Sequence, residues 1–297
     1  MQKESKMHIA GMTTADLANA LSHGYNKGLF HAASVYRHYF KTGQIDCASL
    51  PEFEKSTALA LHLDGDLDGT LPEVVETKSD GDVVKFTSQL IDGSIIESVL
   101  VPMFNHTTIC VSSQVGCRMG CLFCETGRMG FSRNLFAHEI VGQVLLAKWH
   151  FKSPVRNVVF MGMGEPMDNN DEVTQAIHVL ADQRGADISP KRVTLSTVGL
   201  LPPLKHYLEN PIEGLKLSIS LNAVDDPLRS RLMPINSHHP LGELRRLLQT
   251  VPHKTKEGLM FGYVLFNGIN DSKDHALSLA RFTRQFPNVR VNLIPYN

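Results

Sequence analysis

The stretch Cys117-Arg118-Met119-Gly120-Cys121-Leu122-Phe123-Cys124 places three thiols within eight residues, in the spacing C-x3-C-x2-C. Cys110 lies seven residues upstream, Cys47 is remote, and no cysteine follows Cys124. Structural zinc sites take four ligands, usually from two separated C-x2-C pairs, and the second pair is missing here. An iron–sulfur cubane is normally held by four thiolates. Three protein thiolates would leave one iron open to a small molecule, an arrangement that suits catalysis better than electron storage.

Working outward, the cysteines follow the first of a series of alternating elements. TTICVSS, VRNVVFMGM, KRVTLST, LKLSISLNA, LMFGYVLF and VRVNLIP read as strands. Between them, AHEIVGQVLLAKWHF, NDEVTQAIHVLAD, a segment opening near Pro202, PLGELRRLLQTV and SKDHALSLARFTRQF read as helices. Strand–helix alternation predicts parallel strands with right-handed crossovers. Six units are too few for a closed eightfold barrel, so the expected fold class is α/β, an open partial (β/α)6 barrel or doubly wound sheet. The cysteines then sit at the carboxyl end of the first strand, the end that carries chemistry in β/α barrels.

The chain upstream differs. Residues 1–70 read as a small helical domain, with helices over Thr13–His23 (Thr13 as N-cap, Asp16 in the first turn), His31–Phe40 and Pro51–Leu63. From Val74 to Val101 the period changes. Ser79-Asp80-Gly81-Asp82 and Asp92-Gly93 are turn signals between β-rich runs, which predicts a short antiparallel segment over residues 71–102. Residues 103–297 form the alternating core. With 297 residues the chain can bury a large core. The net charge of −1 leaves any nucleic-acid surface to a local patch. No run approaches the roughly 20 apolar residues of a membrane span, and MQKESKMHIAG has no signal-peptide core. The expected setting is the cytoplasm, with no membrane partner, where clustered thiols stay reduced and bind metal.

C-x3-C-x2-C, with Phe123 before its last cysteine, resembles the cluster motif of the radical S-adenosylmethionine (SAM) superfamily. ICVSSQVGC, FCETGRMGFSRNL, VFMGMGEPMDN, VTLSTVG, RLMPIN and VNLIPYN sharpen this to a resemblance to the RlmN/Cfr family of RNA adenine methyltransferases. The likeness is strong from Glu97 to Asn297 and weak over residues 1–70, where the family has an accessory RNA-contacting domain. The resemblance implies a [4Fe–4S] cluster on Cys117, Cys121 and Cys124, with SAM on the open iron. It also implies ribosomal RNA, and transfer RNA as a further candidate, as substrate, and an external electron donor. SSQVGC lies nearer the branch that methylates adenine carbon 2 than the carbon-8 branch. Two readings stand beside this one: a different radical SAM hydrogen-abstracting enzyme, and an iron–sulfur or RNA-binding protein without turnover.

Each motif has a chemical reading of its own. Glycines in MGMGEP let backbone approach a ligand closely, and Glu165 can accept from an ammonium group. The family's Gly-Glu pair carries over to Gly164 and Glu165 as SAM contacts. Ser196 can donate to a carboxylate, and the family has a SAM contact there. Ser220, Leu221 and Asn222 match a further SAM segment in which Asn222 replaces the family's histidine; Asn donates and accepts but does not titrate. Asn297 matches the last SAM contact. Gly262 and Asn267 stand where acidic residues are expected. Glu97, flanked by apolar residues in SIIESV, has on spacing alone the reading of a solvated strand face. A desolvated carboxylate there would have a raised pKa and accept a proton, and the family's proton acceptor matches this position. Cys110 reads from composition as a small core residue, and from the resemblance as a catalytic cysteine. Cys47 reads as structural, and the histidines form no ligand set. Tyr36, Arg37, His38, Tyr39 and Lys41 fit either RNA contacts or an ordinary amphipathic helix.

The family methylates a C-terminal cysteine with one SAM. It then cleaves a second SAM reductively to a 5′-deoxyadenosyl radical, which abstracts hydrogen from the S-methyl group before carbon adds to adenine. Glu97 would accept the proton and Cys110 would resolve the protein–RNA thioether. The methyl-carrying cysteine lies in a family segment beyond NLIPYN. The expectation is therefore of a fragment or truncated product that keeps the cluster loop and most SAM contacts, and that does not methylate RNA by this route.

Overall fold

The computed structural model describes residues 6–250 and 258–296. The six expected core strands are β1 (Thr107–Cys110), β2 (Val155–Phe160), β3 (Val193–Thr197), β4 (Lys216–Ser220), β5 (Leu259–Leu265) and β6 (Arg290–Pro295). The helices are α1 (Ala137–Trp149), α2 (Asn170–Ala181), α3 (Leu201–Glu209), α4 (Leu241–Gln249) and α5 (Lys273–Thr283).

The chain divides into two compact units. Met1–Ile109, Leu135–Asn157 and Asp171–Ser189 make the first; Cys110–Asn134, Val158–Asn170 and Pro190–Asn297 make the second. Helices α1 and α2 thus belong with the N-terminal residues.

In the first unit, Thr13 caps the helix Thr14–Tyr25 through a reciprocal capping box with Asp16. Asn26, in the left-handed conformation that Asn tolerates, ends it. The second helix runs Leu29–Thr42 and stops at Gly43. Its aromatic residues Tyr36 and Tyr39 are fully buried, which removes them from stacking on a ligand and leaves Arg37 and Lys41 on the exposed face. The helix expected over Pro51–Leu63 is broken: a 3-10 turn covers Pro51–Phe53 and the helix proper runs Thr57–Asp66. The break follows from Ser56, which closes a turn onto the Phe53 carbonyl (2.7 Å) and lies outside the helical backbone region. Strands Glu73–Asp80, Val83–Gln89 and Ile95–Pro102 form the expected antiparallel meander, turning at Gly81 and Gly93. The Ser98 hydroxyl donates to Gln143 on α1 at 2.8 Å. Gln175 on α2 donates to the Gly11 carbonyl and to Asp16.

In the second unit the strand order is β6-β5-β4-β3-β2, and every pair is parallel. Just past β1, Val111 donates to the Val159 carbonyl and accepts from Gly162. The row is open, as six repeats predict, with β6 at its edge. Along β5, Phe261 and Tyr263 are buried on one side while Gly262 and Val264 face a cavity on the other, the period-2 alternation of a strand.

Thr13→Ala removes one half of the capping box. It is expected to lower stability by about 1 kcal/mol in denaturant titrations.

Candidate functional site

The cysteine loop is launched by a small hairpin. Gln114–Gly116 pairs antiparallel with Phe131–Asn134, with a bulge between Val115 and Gly116. Gly116 has φ +76°, and a Cβ on it would lie 1.9 Å from the Gly130 carbonyl oxygen; only glycine fits. The next N–H, that of Cys117, donates to the same oxygen at 2.8 Å. Cys124 donates to Cys121 O at 3.1 Å, and Leu122 donates to Leu232 O at 3.0 Å. Cys117 and Cys121 are buried and Cys124 is half-buried.

All three cysteines line one cavity of about 250 Å³. It also takes Gly164 and Glu165 from the loop after β2, Ser196 from β3, Ser218 and Ser220 from β4, Asn222 from the turn after it, Gly262 from β5 and Asn292 from β6. The register explains the convergence: Ser196 stands opposite Ser218, Ser220 opposite Gly262, and Gly262 opposite Asn292. A Cβ on Gly262 would meet only the Ile219 carbonyl, at 3.9 Å, so the acidic residue expected there is replaced by open space.

Glu165 is almost wholly buried. Its carboxylate accepts from Met167 N at 3.0 Å and Val198 N at 2.9 Å, and its own N–H donates to Gln114 Oε1 at 2.8 Å. Burial pushes its pKa up to about 7; hydrogen bonds from Thr197, Val198 and Met167 oppose that rise. Gln114 also donates to Asn134 and to Asp168, each at 2.8 Å. Asp168 in turn pairs with Arg118 at 2.9 Å, whose guanidinium lies over the Phe131 ring. Gly164, with φ +104°, passes so close to Gln114 and Ser113 that a Cβ would fall 2.7 Å from each. The cluster hairpin and the MGMGEP loop are thereby locked together.

Burial raises the Cys117 thiol to about 11 and the Cys121 thiol to about 12, so iron binding must displace protons from them. Among the described residues, no three His, Cys, Asp or Glu side chains are grouped as a single ion would require. A cluster takes one thiolate per iron, so three separate thiols around one cavity fit it as donors.

Other expected residues fall elsewhere. Leu221 is fully buried and outside the cavity lining. Asn222 takes a left-handed backbone (φ +57°) and spends its side chain on Val264 N, at 2.9 Å, and Met233 Sδ, at 3.3 Å. Cys110 ends β1, half-buried, and is not part of the lining. Glu97 belongs to the first unit. The expected desolvated setting is absent: its side chain is 37% exposed and pairs with Lys85 at 2.8 Å. The apolar neighbours Ile96 and Leu100 point to the opposite, buried face of the strand. Asn297 lies outside the described residues. Cys47 is buried, its thiol pushed well up by burial beside Asp64.

The sequence reading missed Ser218, Asn292, Asn270 and Arg229. Asn270 donates to Asn222 O and Val264 O and accepts from Phe266 N. Arg229, seven residues before the end of RLMPIN, is buried among strand ends. The signal available was position for the strand residues, polar side chains on the cavity face; in the mixed helix DPLRSRL nothing sets Arg229 apart from Arg231.

Comparison with known proteins decides the family. The radical SAM superfamily model matches residues 111–280, which span the cysteine loop and the lining strands through β5. The chain belongs to the radical SAM superfamily. It is 42% identical over 289 residues to the "Probable dual-specificity RNA methyltransferase RlmN 1" of Protochlamydia amoebophila, covering 97% of this chain and 80% of that protein. It is 38% identical to the "Dual-specificity RNA methyltransferase RlmN" of Syntrophotalea carbinolica, covering 100% and 78%. The crystal structure of a radical SAM methyltransferase from Sphaerobacter thermophilus superposes with a TM-score of 0.87 at 34% identity, covering 98% of this chain and 85% of that one. Within the radical SAM superfamily, the chain is a member of the RlmN/Cfr family. Membership implies SAM and an iron–sulfur cluster as cofactors.

Two outcomes are expected. Gly116→Ala cannot keep the bulge that aims Cys117, so reconstituted iron content should fall at least severalfold while far-UV circular dichroism is retained. In SAM-free protein, Glu165 has a folded pKa above its ordinary 4.5. Its contribution to stability is therefore full below pH 4.5 and lost as pH rises through about 7. Glu165→Gln has no such loss, so its stability relative to the native chain should rise by about 3 kcal/mol between pH 5 and pH 8, measured by denaturant titration.

Proposed function

We propose that these 297 residues carry the cluster-binding and SAM-cleaving part of an enzyme that methylates adenine in RNA, at carbon 2, with ribosomal RNA as substrate and transfer RNA as a second one. The observation that supports this most is the convergence on one cavity of three thiols, the Gly164-Glu165 turn and a row of small polar strand residues, in a chain whose relatives are named RNA methyltransferases.

In this reading Cys117, Cys121 and Cys124 hold a [4Fe–4S] cluster and leave one iron for the amino and carboxylate groups of SAM. Such a cluster, when bound and reduced by an external electron donor, would provide one-electron chemistry for reductive cleavage of SAM. Glu165 and Gly164 would accept from the N–H groups of the SAM amine, and the sulfonium charge of SAM favours the ionised form of Glu165 that burial alone disfavours. Ser196 and Ser220 donate toward the SAM carboxylate and ribose. Asn222 shapes the wall through its left-handed turn, Leu221 backs it with apolar surface, and Asn297 completes the set. The apolar side chains Phe123, Phe160, Val264 and Ile294 line the same cavity and exclude water from the reactive carbon. Glu97 takes the proton released from adenine; its contact with Lys85 and solvent gives that proton an exit. Cys110 resolves the thioether between protein and RNA. Outside the cluster loop these 297 residues hold two thiols, Cys47 and Cys110, so a route through a separate methyl-carrying cysteine needs a further thiol.

Anaerobic reconstitution tests the reading. The cluster spectrum should change on adding SAM, and Ala at Cys117, Cys121 or Cys124 should abolish cluster binding; retention of about four irons in any one variant would refute the ligand set. The 297-residue chain should form 5′-deoxyadenosine without methylating RNA, whereas a form extended by the family's cysteine-bearing segment should methylate it. Methylation by the short form at a comparable rate would refute the cysteine route. Nucleoside mass spectrometry of a deletion strain should show loss of 2-methyladenosine.

A further inference from the structure

Arg229 carries a buried positive charge whose hydrogen-bond acceptors are all neutral. The residue is 1% exposed. Its Nε donates to Leu221 O at 3.1 Å, Nη2 to Val198 O at 2.7 Å and to Ser220 O at 3.0 Å, and Nη1 to Asn236 Oδ1 at 2.5 Å. Three of these acceptors are main-chain carbonyls at the ends of β3 and β4, and the fourth is a side-chain amide. A guanidinium held this way keeps its field, because carbonyl dipoles solvate a charge without cancelling it. The helix that carries it, Asp226–Leu232, is joined to the cysteine loop where Leu232 O accepts from Leu122 N. Cys121, which becomes an anion only when it gives up its proton to bind iron, and Asp226 are the acidic groups whose negative charge acts on Arg229. The Asp226 carboxylate is itself engaged by Asn236 Nδ2 and Leu241 N, both at 2.8 Å.

We propose that Arg229 is a positioning residue for the redox step: its fixed charge raises the reduction potential of the cluster held by Cys117, Cys121 and Cys124. Reduction adds one electron, from an external one-electron reductant, to a group already made negative by three thiolates. Net charge and surrounding hydrogen bonds set such potentials, and a neighbouring fixed cation favours the more negative, reduced state. The inference rests on the cluster reading above.

The test is a redox titration of reconstituted, SAM-free protein, followed by electron paramagnetic resonance with dithionite and mediators. Arg229→Gln should disfavour reduction at least tenfold, about 59 mV for a one-electron couple, and Arg229→Lys should stay closer to the native value than Arg229→Gln. A second variant guards against misfolding. Asn236→Asp combined with Asp226→Asn moves one carboxylate onto the guanidinium, with net charge and the hydrogen-bonded pair kept, and leaves the contacts to Val198, Ser220 and Leu221 in place. It should also shift the potential downward. If Arg229→Gln does not hold a cluster, the exchanged pair decides alone. A potential unchanged in the exchanged pair, or an equal fall in the Lys and Gln variants, overturns the proposal in favour of a purely structural strap. Failure of the native chain to bind a cluster would instead overturn the cluster reading itself.

Discussion

Strands β3, β4 and β5 stop at their carboxyl ends with main-chain groups that side chains, not further strand pairing, complete. A buried amide or carbonyl without a partner costs on the order of 1–3 kcal/mol, so these ends exist only where a side chain completes them. Glu165 accepts from Val198 past β3, Asn222 from Val264 on β5, and Asn270 takes the carbonyls of Asn222 and Val264. Arg229 gathers the carbonyls of Val198, Ser220 and Leu221. The site is built from this set of repairs, and the cavity is the space they surround.

The same set explains why the cysteine loop can be short. It needs no core of its own, because Gln114 ties its root to the MGMGEP turn and Leu232 O holds its middle. Asp168 adds a second tether through Arg118. Rigid attachment of donors is what a cofactor site requires, since a ligand that must be ordered at binding costs affinity. Glu165 sits in tension with that order. Burial makes it resist ionisation even though backbone donors favour the carboxylate, which prepares it to gain from a cationic ligand.

How much of this was legible in the linear chain varies by kind of feature. The C-x3-C-x2-C spacing, the strand–helix alternation and the Thr13 cap were readable because each is local, set by neighbours a few residues apart. The split of the expected helix at Ser56 was not, because it lies in a backbone choice: Ser56 leaves the helical region and its N–H closes a turn onto Phe53 O, with no residue there that forbids a continuous helix. Glu97 illustrates a different limit. Apolar neighbours in sequence suggested desolvation, yet alternation along the strand sends Ile96 and Leu100 to one face and Glu97 to the other.

The sequence by itself determined the class of chemistry: three thiols on one loop, glycine where backbone must come close, and a repeating β/α core to hold them. Tertiary structure alone decided which polar residues meet. Ser218, Asn292, Asn270 and Arg229 lie far from the cysteines along the chain; Ser218 and Asn292 fall within quoted stretches that do not single them out, and Asn270 and Arg229 fall outside any. Ser218 and Asn292 reach the site because parallel register sets Ser196 beside Ser218 and Gly262 beside Asn292; Arg229 and Asn270 reach it by binding strand-end carbonyls. Alternation within a strand fixes which face each residue takes, but which residue it meets on a strand tens of residues away is settled only when the two pair.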